Sequence, residues 1–208
     1  KAIIMPEVGP ITSKQKIIPA LRNEKLKICW SGLHIPRKSL NLLIEVLSNS
    51  FHKDGIELHI IGEGPCTKKW KKYANKLKLD NLQWYGWVKR EKAVTIMQSC
   101  HIFAITSLSD ANSTVLMEAL SVGLPVIALN HLGFANIVND TCGIKIPIHS
   151  KKQVVTDFAK AIDFLFENDD VRVDLAYGAL RRAQDFTWEK KAEIINEIYN
   201  RVINHETV

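Results

Sequence analysis

Short apolar runs alternate along this chain with longer amphipathic stretches. The runs are Leu26–Trp30, Ile56–Ile61, Leu82–Tyr85, Ile102–Thr106, Val126–Leu129 and Gly143–Ile148. Each is four to six residues long, and several are rich in Ile, Val and aromatics, which predicts strands. Between them, Lys38–Asn49 sets Leu40, Leu42, Leu43, Val46 and Leu47 on one broad apolar face. Thr67–Leu79 carries Trp70, Tyr73, Ala74 and Leu77 at helical spacing, and Arg90–Ser99 and Ser113–Val122 follow the same logic. Strands alternating with helices predict an α/β fold with a parallel sheet of about six strands, covered on both faces because the strands are almost wholly apolar. After Ile148 only helices are predicted, over Val154–Glu167, Val171–Asp185 and Trp188–Ile203. Residues 1–25 carry Pro6, Gly9, Pro10 and Pro19 and read as an irregular lead-in or interdomain linker. The globular domain is expected over 26–185, with a C-terminal helix in 186–208.

Composition narrows this picture. The 208 residues include 46% hydrophobic and 24% charged residues, which excludes a disordered chain, a collagen and a disulfide-stapled miniprotein. Lys and Arg exceed Asp and Glu by 28 to 22, a formal charge of +6 that allows an anionic partner without naming one. Cys29, Cys66, Cys100 and Cys142 are scattered, with no CxxC and no HExxH, so neither a zinc site nor another metal site is expected and a reducing cytoplasm is the simplest setting. No apolar run approaches the ~20 residues that span a bilayer, and Lys1–Pro10 makes a poor signal-peptide core. Lys68, Lys69, Lys71, Lys72, Lys76 and Lys78 crowd one predicted helix. They read as its solvated face, with contact to an anionic membrane as an open alternative; nucleic-acid binding is not expected. Trp30, Trp84 and Trp188 fall within apolar patterns and are expected in the core, whereas Trp87 lies at a rim.

Ligands of open parallel sheets bind outside the carboxyl ends of the strands. Small and polar residues gather there: Ser31-Gly32-Leu33-His34 with Arg37-Lys38 after the first strand, Gly62-Glu63-Gly64-Pro65 after the second, and Gly86-Trp87-Val88 after the third. Ser107-Leu108-Ser109-Asp110-Ala111-Asn112-Ser113 follows the fourth. Asn112 or Ser113 suits the N-cap of the next helix, whose free amides could meet a phosphate. Asp110 and Glu118 bracket that helix start and could accept hydrogen bonds from sugar hydroxyls. Lys38 opens a helix whose dipole favours acids at that end, so its placement suits an anion shared between Lys and helix amides. A surface Lys and a capped surface helix with a solvated Glu are the bland alternatives. A Gly-x-Gly-x-x-Gly turn after the first strand is absent, which argues against a dehydrogenase.

Asp110-x7-Glu118 runs into Ala119-Leu120-Ser121-Val122-Gly123-Leu124-Pro125-Val126-Ile127, preceded by Gly62-x-Gly64-Pro65 and Trp84-x-Gly86-x-Val88 and followed by Gly133…Ile137-Val138…Gly143. This ordered set resembles the donor-binding C-terminal domain of family 4 retaining glycosyltransferases of the GT-B type, which have two Rossmann-like domains. The likeness covers roughly residues 26–148. It implies a Rossmann-like half that binds a nucleotide-diphosphate sugar, with no metal or other cofactor required. Glu118 would hold the ribose hydroxyls and Asp110 the hydroxyls of the donor sugar. Amides around Asn112, Ser113 and Thr114 would meet diphosphate or sugar, with Gly32 and Gly64 in neighbouring loops, and Trp87-Val88 would flank the base. Lys38 would neutralise the departing diphosphate. Where the family has Glu, this chain has Asp110; its Arg after the first-strand glycine is Leu33, with Arg37 as the candidate replacement; its glycine after the Lys is Ser39. The partner domain that would hold a saccharide or lipid-linked acceptor is expected to precede this one, and the chain alone is expected not to transfer sugar. Cell-surface polysaccharide or lipopolysaccharide assembly, at the inner face of the membrane, is the implied setting. A nucleotide-sugar epimerase, a sugar phosphorylase and a non-catalytic basic module are the alternatives.

Overall fold

A computed structural model describes residues 24–110 and 113–204. Its strands are β1 (Leu26–Ser31), β2 (Ile56–Ile61), β3 (Leu82–Gly86), β4 (Ile102–Ile105), β5 (Val126–Leu129) and β6 (Gly143–Ile146). Its helices are α1 (Leu40–Ser48), α2 (Thr67–Lys76), α3 (Arg90–Gln98), α4 (Thr114–Ser121), α5 (Leu132–Ile137), α6 (Lys151–Glu167), α7 (Asp169–Gln184) and α8 (Trp188–Ile203). The six strands form one sheet in the order β3-β2-β1-β4-β5-β6, and every paired neighbour is parallel. This is the Rossmann-like α/β architecture expected from the sequence. The predicted lead-in at 1–25 lies almost wholly outside the described residues.

The central strands β4 and β5 are apolar and buried at every position because each face of the sheet has its own core. Ile28 and Trp30 of β1, Ile102 and Ala104 of β4, and Ile127 and Leu129 of β5 join Leu43, Trp70 and Phe158 of α1, α2 and α6 on one face. Cys29, Phe103, Ile105, Val126 and Ala128 point the other way, to Met97, Leu116, Leu120, Phe134 and Ala179 of α3, α4, α5 and α7. The strand period of two thus distributes successive apolar residues between two cores. All four cysteines are free thiols.

Helix boundaries shift where local chemistry overrides the apolar pattern. The helix predicted from Lys38 begins instead at Leu40: Lys38 ends a 3-10 turn, Pro36–Lys38, and Ser39 between the two adopts a left-handed φ of 48°. That conformation explains a family glycine at this position. The helix expected at Ser113–Val122 starts one residue later, with Ser113 as N-cap, but its side chain makes no capping hydrogen bond. α5 was not expected: six residues are too few for a helical period to show. Trp188 is a correction to the expected core, being 71% exposed at the start of α8, a helix with no buried residue. Trp30 is buried and Trp84 half-buried against the first core.

Gly62 has a φ of +115° and lies so close to the β1 loop that a Cβ there would sit 2.1 Å from the carbonyl oxygen of Gly32. A Cβ on Gly64 would meet the carbonyl oxygen of His34 at 2.8 Å. The glycines of the second rim loop therefore allow it to lie against the first.

Candidate functional site

The strand order reverses between β1 and β4, which lie side by side although β2, β3 and their helices separate them in the chain. The loops leaving their carboxyl ends meet in the crevice where such sheets bind ligands. They are laced together by hydrogen bonds. The Leu108 amide donates to the Arg37 carbonyl at 2.7 Å. The Thr106 hydroxyl faces the carbonyls of Lys38 and Ser39, both at 3.1 Å, and accepts from the Trp30 indole at 3.2 Å. Gly32 lies at the same corner, where a Cβ would come within ordinary contact, 3.7 Å, of the Lys38 stem.

This lacing brings three charged side chains to one point. Lys38 Nζ donates to Asp110 Oδ2 at 2.5 Å, while Arg37 Nη1 donates to Asp110 Oδ1 and, at 2.9 Å, to the Ser109 carbonyl. Asp110 is buried and the Lys38 side chain only 17% exposed. Burial works against the Asp110 charge. Hydrogen bonds from Lys38, Ser107 and Arg37, with the Lys38 charge, outweigh it and hold the carboxyl below its ordinary value. Leu33, where the family has its Arg, is 56% exposed, and Arg37 is the guanidinium that reaches the cluster.

A second ion pair lies on the α3–α4 side. Glu118, on the second turn of α4, is almost wholly buried, and its Oε1 accepts from Arg90 Nε at 2.6 Å. Arg90 is the first residue of α3 and follows the loop that carries Trp87 and Val88. Trp87 is 70% exposed at the rim, and Val88 packs against the second core. The end of β3 is joined to β2 by the Gly62 amide, which donates to the Gly86 carbonyl at 2.8 Å.

The structure thus brings Lys38, Arg37, Asp110 and Gly32 together and gives Glu118 a separate cationic partner. Gly64 lies against His34 in the neighbouring loop, and Ser113 and Thr114 open α4. Asn112 lies outside the described residues. Sequence reasoning missed Thr106 and Arg90, and named Ser107 only as part of the fourth rim loop. The signal for Arg90 was present: a cation at a helix N-terminus opposes the helix dipole, the same argument that singled out Lys38. Two cations shared by one carboxylate form a site where a polyanion of higher charge can compete for them.

Comparison with known proteins bears on the fold and the family. The family model for glycosyl transferases group 1 matches residues 12–182. An uncharacterized glycosyltransferase of Methanocaldococcus jannaschii is 23% identical over 171 residues, covering 82% of this chain and 47% of that protein. D-inositol 3-phosphate glycosyltransferase of a Nocardioides species is 30% identical over 115 residues, covering 55% of this chain and 24% of that protein. Among solved structures, the lipopolysaccharide outer core galactosyltransferase WaaB superposes with a TM-score of 0.79 at 18% identity, over 96% of this chain and 56% of its own. TarM of S. aureus, solved with UDP, does so with a TM-score of 0.74 at 22% identity, over 91% of this chain and 39% of its own. The chain spans about half the length, or less, of the curated relatives it matches. It belongs to the group 1 glycosyl transferases, as a C-terminal-type domain of their GT-B fold.

Proposed function

We propose that this domain binds a nucleotide-diphosphate sugar at the rim between β1 and β4. Its sugar is transferred, with retention, to a saccharide or lipid-linked acceptor held by a preceding domain. The convergence of Arg37 and Lys38 on Asp110 at the reversal of strand order carries this reading. A diphosphate displaces Asp110 from the two cations, which then offset the charge that builds on the leaving group as the bond to the anomeric carbon breaks. No metal is needed for that task in this scheme. Asp110, released, accepts a hydrogen bond from a hydroxyl of the donor sugar, while the start of α4, at Asn112, Ser113 and Thr114, adds the positive end of its dipole. Glu118 holds the ribose hydroxyls, and Trp87-Val88 flanks the base. The exposed Ile194, Tyr199, Val202 and Ile203 of α8 supply an apolar surface on which the preceding domain packs.

Calorimetric titration with UDP, GDP and ADP tests the reading. One of them binds, and Glu118→Ala weakens that binding about tenfold, the value of a lost charge-assisted hydrogen bond. Absence of binding by all three at millimolar concentration defeats the donor site. We place the reaction in cell-surface polysaccharide or lipopolysaccharide synthesis at the cytoplasmic face of the membrane.

A lipid-linked acceptor gives the lysines of α2 a role. The run from Gly64 to Leu79 contains no acid, and Trp70 and Ala74 are buried, which leaves Lys68, Lys69, Lys72 and Lys76 on the outer face and no aromatic platform for nucleic-acid bases. No helix among the described residues is long and apolar enough to cross a membrane. The expected result is co-sedimentation with anionic vesicles at low salt and release at high salt, because each Lys near such a surface contributes about 1 kcal/mol that salt screens. Failure to sediment at low salt removes the membrane contact.

A further inference from the structure

We infer that Arg90 is a positioning residue that orients the Glu118 carboxylate towards the ribose of the donor. The inference rests on the donor reading above and adds to it a residue on a different helix. Glu118 has a side chain only 11% exposed, and Arg90 is the one side chain hydrogen-bonded to its carboxylate among the described residues. A carboxylate that has lost most of its water takes up the orientation its remaining partner allows. Here that partner holds one oxygen, Oε1, through Nε at 2.6 Å, and leaves the other for a hydroxyl donor. The backbone fixes where Arg90 stands. Gly86 turns the chain out of β3 with a φ of +67°, Lys89 is the extended N-cap of α3, and α3 packs against α4. With its side chain 60% exposed, Arg90 keeps much of its own water in the pair. Its effect falls on Glu118, which without it is a nearly buried charge with no fixed direction.

The test compares a nucleoside diphosphate with its 2′-deoxy form, using whichever of UDP, GDP or ADP binds the unaltered chain. That chain is expected to prefer the ribonucleotide at least tenfold, the size of one hydrogen bond to a charged group. In Arg90→Ala the preference falls to about twofold: ribonucleotide binding weakens, deoxynucleotide binding hardly changes, and inorganic pyrophosphate binds as before. Arg90→Lys, which keeps a charged donor, recovers part of the preference. A preference retained in Arg90→Ala overturns the inference. So does an equal loss for ribonucleotide, deoxynucleotide and pyrophosphate, which marks Arg90 as a simple anion contact. An unaltered chain that does not distinguish the two sugars also overturns it. If the unaltered chain binds no nucleotide at all, the donor reading itself has failed, a result separable from the others.

Discussion

Asp110→Asn is expected to bind nucleoside diphosphate about tenfold more tightly than the parent and yet to transfer sugar about a hundredfold more slowly. The two effects share one cause. Asp110 is paired with both Lys38 and Arg37. Any diphosphate must exchange with that carboxylate, so part of its attraction for the cations is spent in displacing Asp110. Asn has nearly the same shape and no charge, and it leaves Lys38, only 17% exposed, without its counter-ion. An uncompensated cation destabilises the empty domain and is relieved when the anion arrives. A tenfold gain in affinity is about 1.4 kcal/mol, well within the cost of leaving such a charge unpaired. The same exchange lowers the rate. A carboxylate released next to the donor sugar accepts a stronger hydrogen bond than an amide does, and loss of an interaction used in the transition state lowers turnover rather than affinity. Two measurements check this: calorimetry on the chain itself, and transfer assayed with the domain joined to the preceding one proposed above. Thermal denaturation gives a third sign. The empty variant melts below the parent, but saturating nucleotide raises its melting temperature more. Equal affinities and equal thermal shifts for parent and variant contradict the exchange.

The architecture was legible because the central strands, buried on both faces, write themselves as apolar runs, unbroken in β4 and β5 and interrupted by a few polar residues such as Lys27, Glu57 and Gln83 towards the edges. All six runs became strands, with ends moved by at most two residues. Thr106, counted with the fourth strand, instead turns its hydroxyl to the Lys38 loop, a role that needs the neighbouring strand to be known. The candidate site was legible one loop at a time. Asp110, Glu118 and Lys38 each stood out by residue type and by position at a strand end or helix start. Their pairing was not, because Arg37 and Asp110 lie 73 positions apart and meet only through the β1–β4 adjacency. Leu33 and Ser39 show two kinds of departure from the family pattern. Arg37 takes a place beside Asp110 where the family's Arg is absent, and Ser39 adopts the left-handed backbone that a glycine would occupy without strain. Trp188 misled for a different reason. An apolar position on an amphipathic helix looks the same whether its partner is the helix's own sheet or another surface.

The second large effect is on stability, and it comes from two histidines away from the charged cluster. His34 is fully buried with its ring centroid 5.2 to 5.8 Å from those of Trp30, Trp70 and Trp84, and its Nδ1 lies 2.7 Å from the Thr67 hydroxyl. Burial first, and then the charge of Lys71, lower its pKa from 6.5 to about 4. His101, 3% exposed, accepts the Lys27 amide on Nδ1 at 2.9 Å, so protonation there costs a backbone hydrogen bond. Burial, followed by the charges of Arg172 and Lys27, lowers its pKa to about 4 as well. Between pH 6.5 and 4 the unfolded chain takes up protons at both histidines and the folded chain does not, so stability falls as pH falls. At 1.36 kcal/mol per pKa unit, the two together cost about 4 kcal/mol by pH 5 and about 6 by pH 4, against a typical total of 5–15. For a chain of this size, 4 kcal/mol corresponds to a melting temperature lower by roughly 10 °C. Asp110 adds nothing in this window. Its lowered pKa gives a contribution that is complete above the ordinary carboxylate range and is lost only below about pH 4. The expected result is therefore a melting temperature about 10 °C lower at pH 5 than at pH 7.5, measured by circular dichroism without ligand. His101→Asn keeps an acceptor near the Nδ1 position but does not titrate, and it is expected to remove about half of that slope. A melting temperature constant between pH 7.5 and 5, or a slope unchanged in His101→Asn, excludes these histidines as its source.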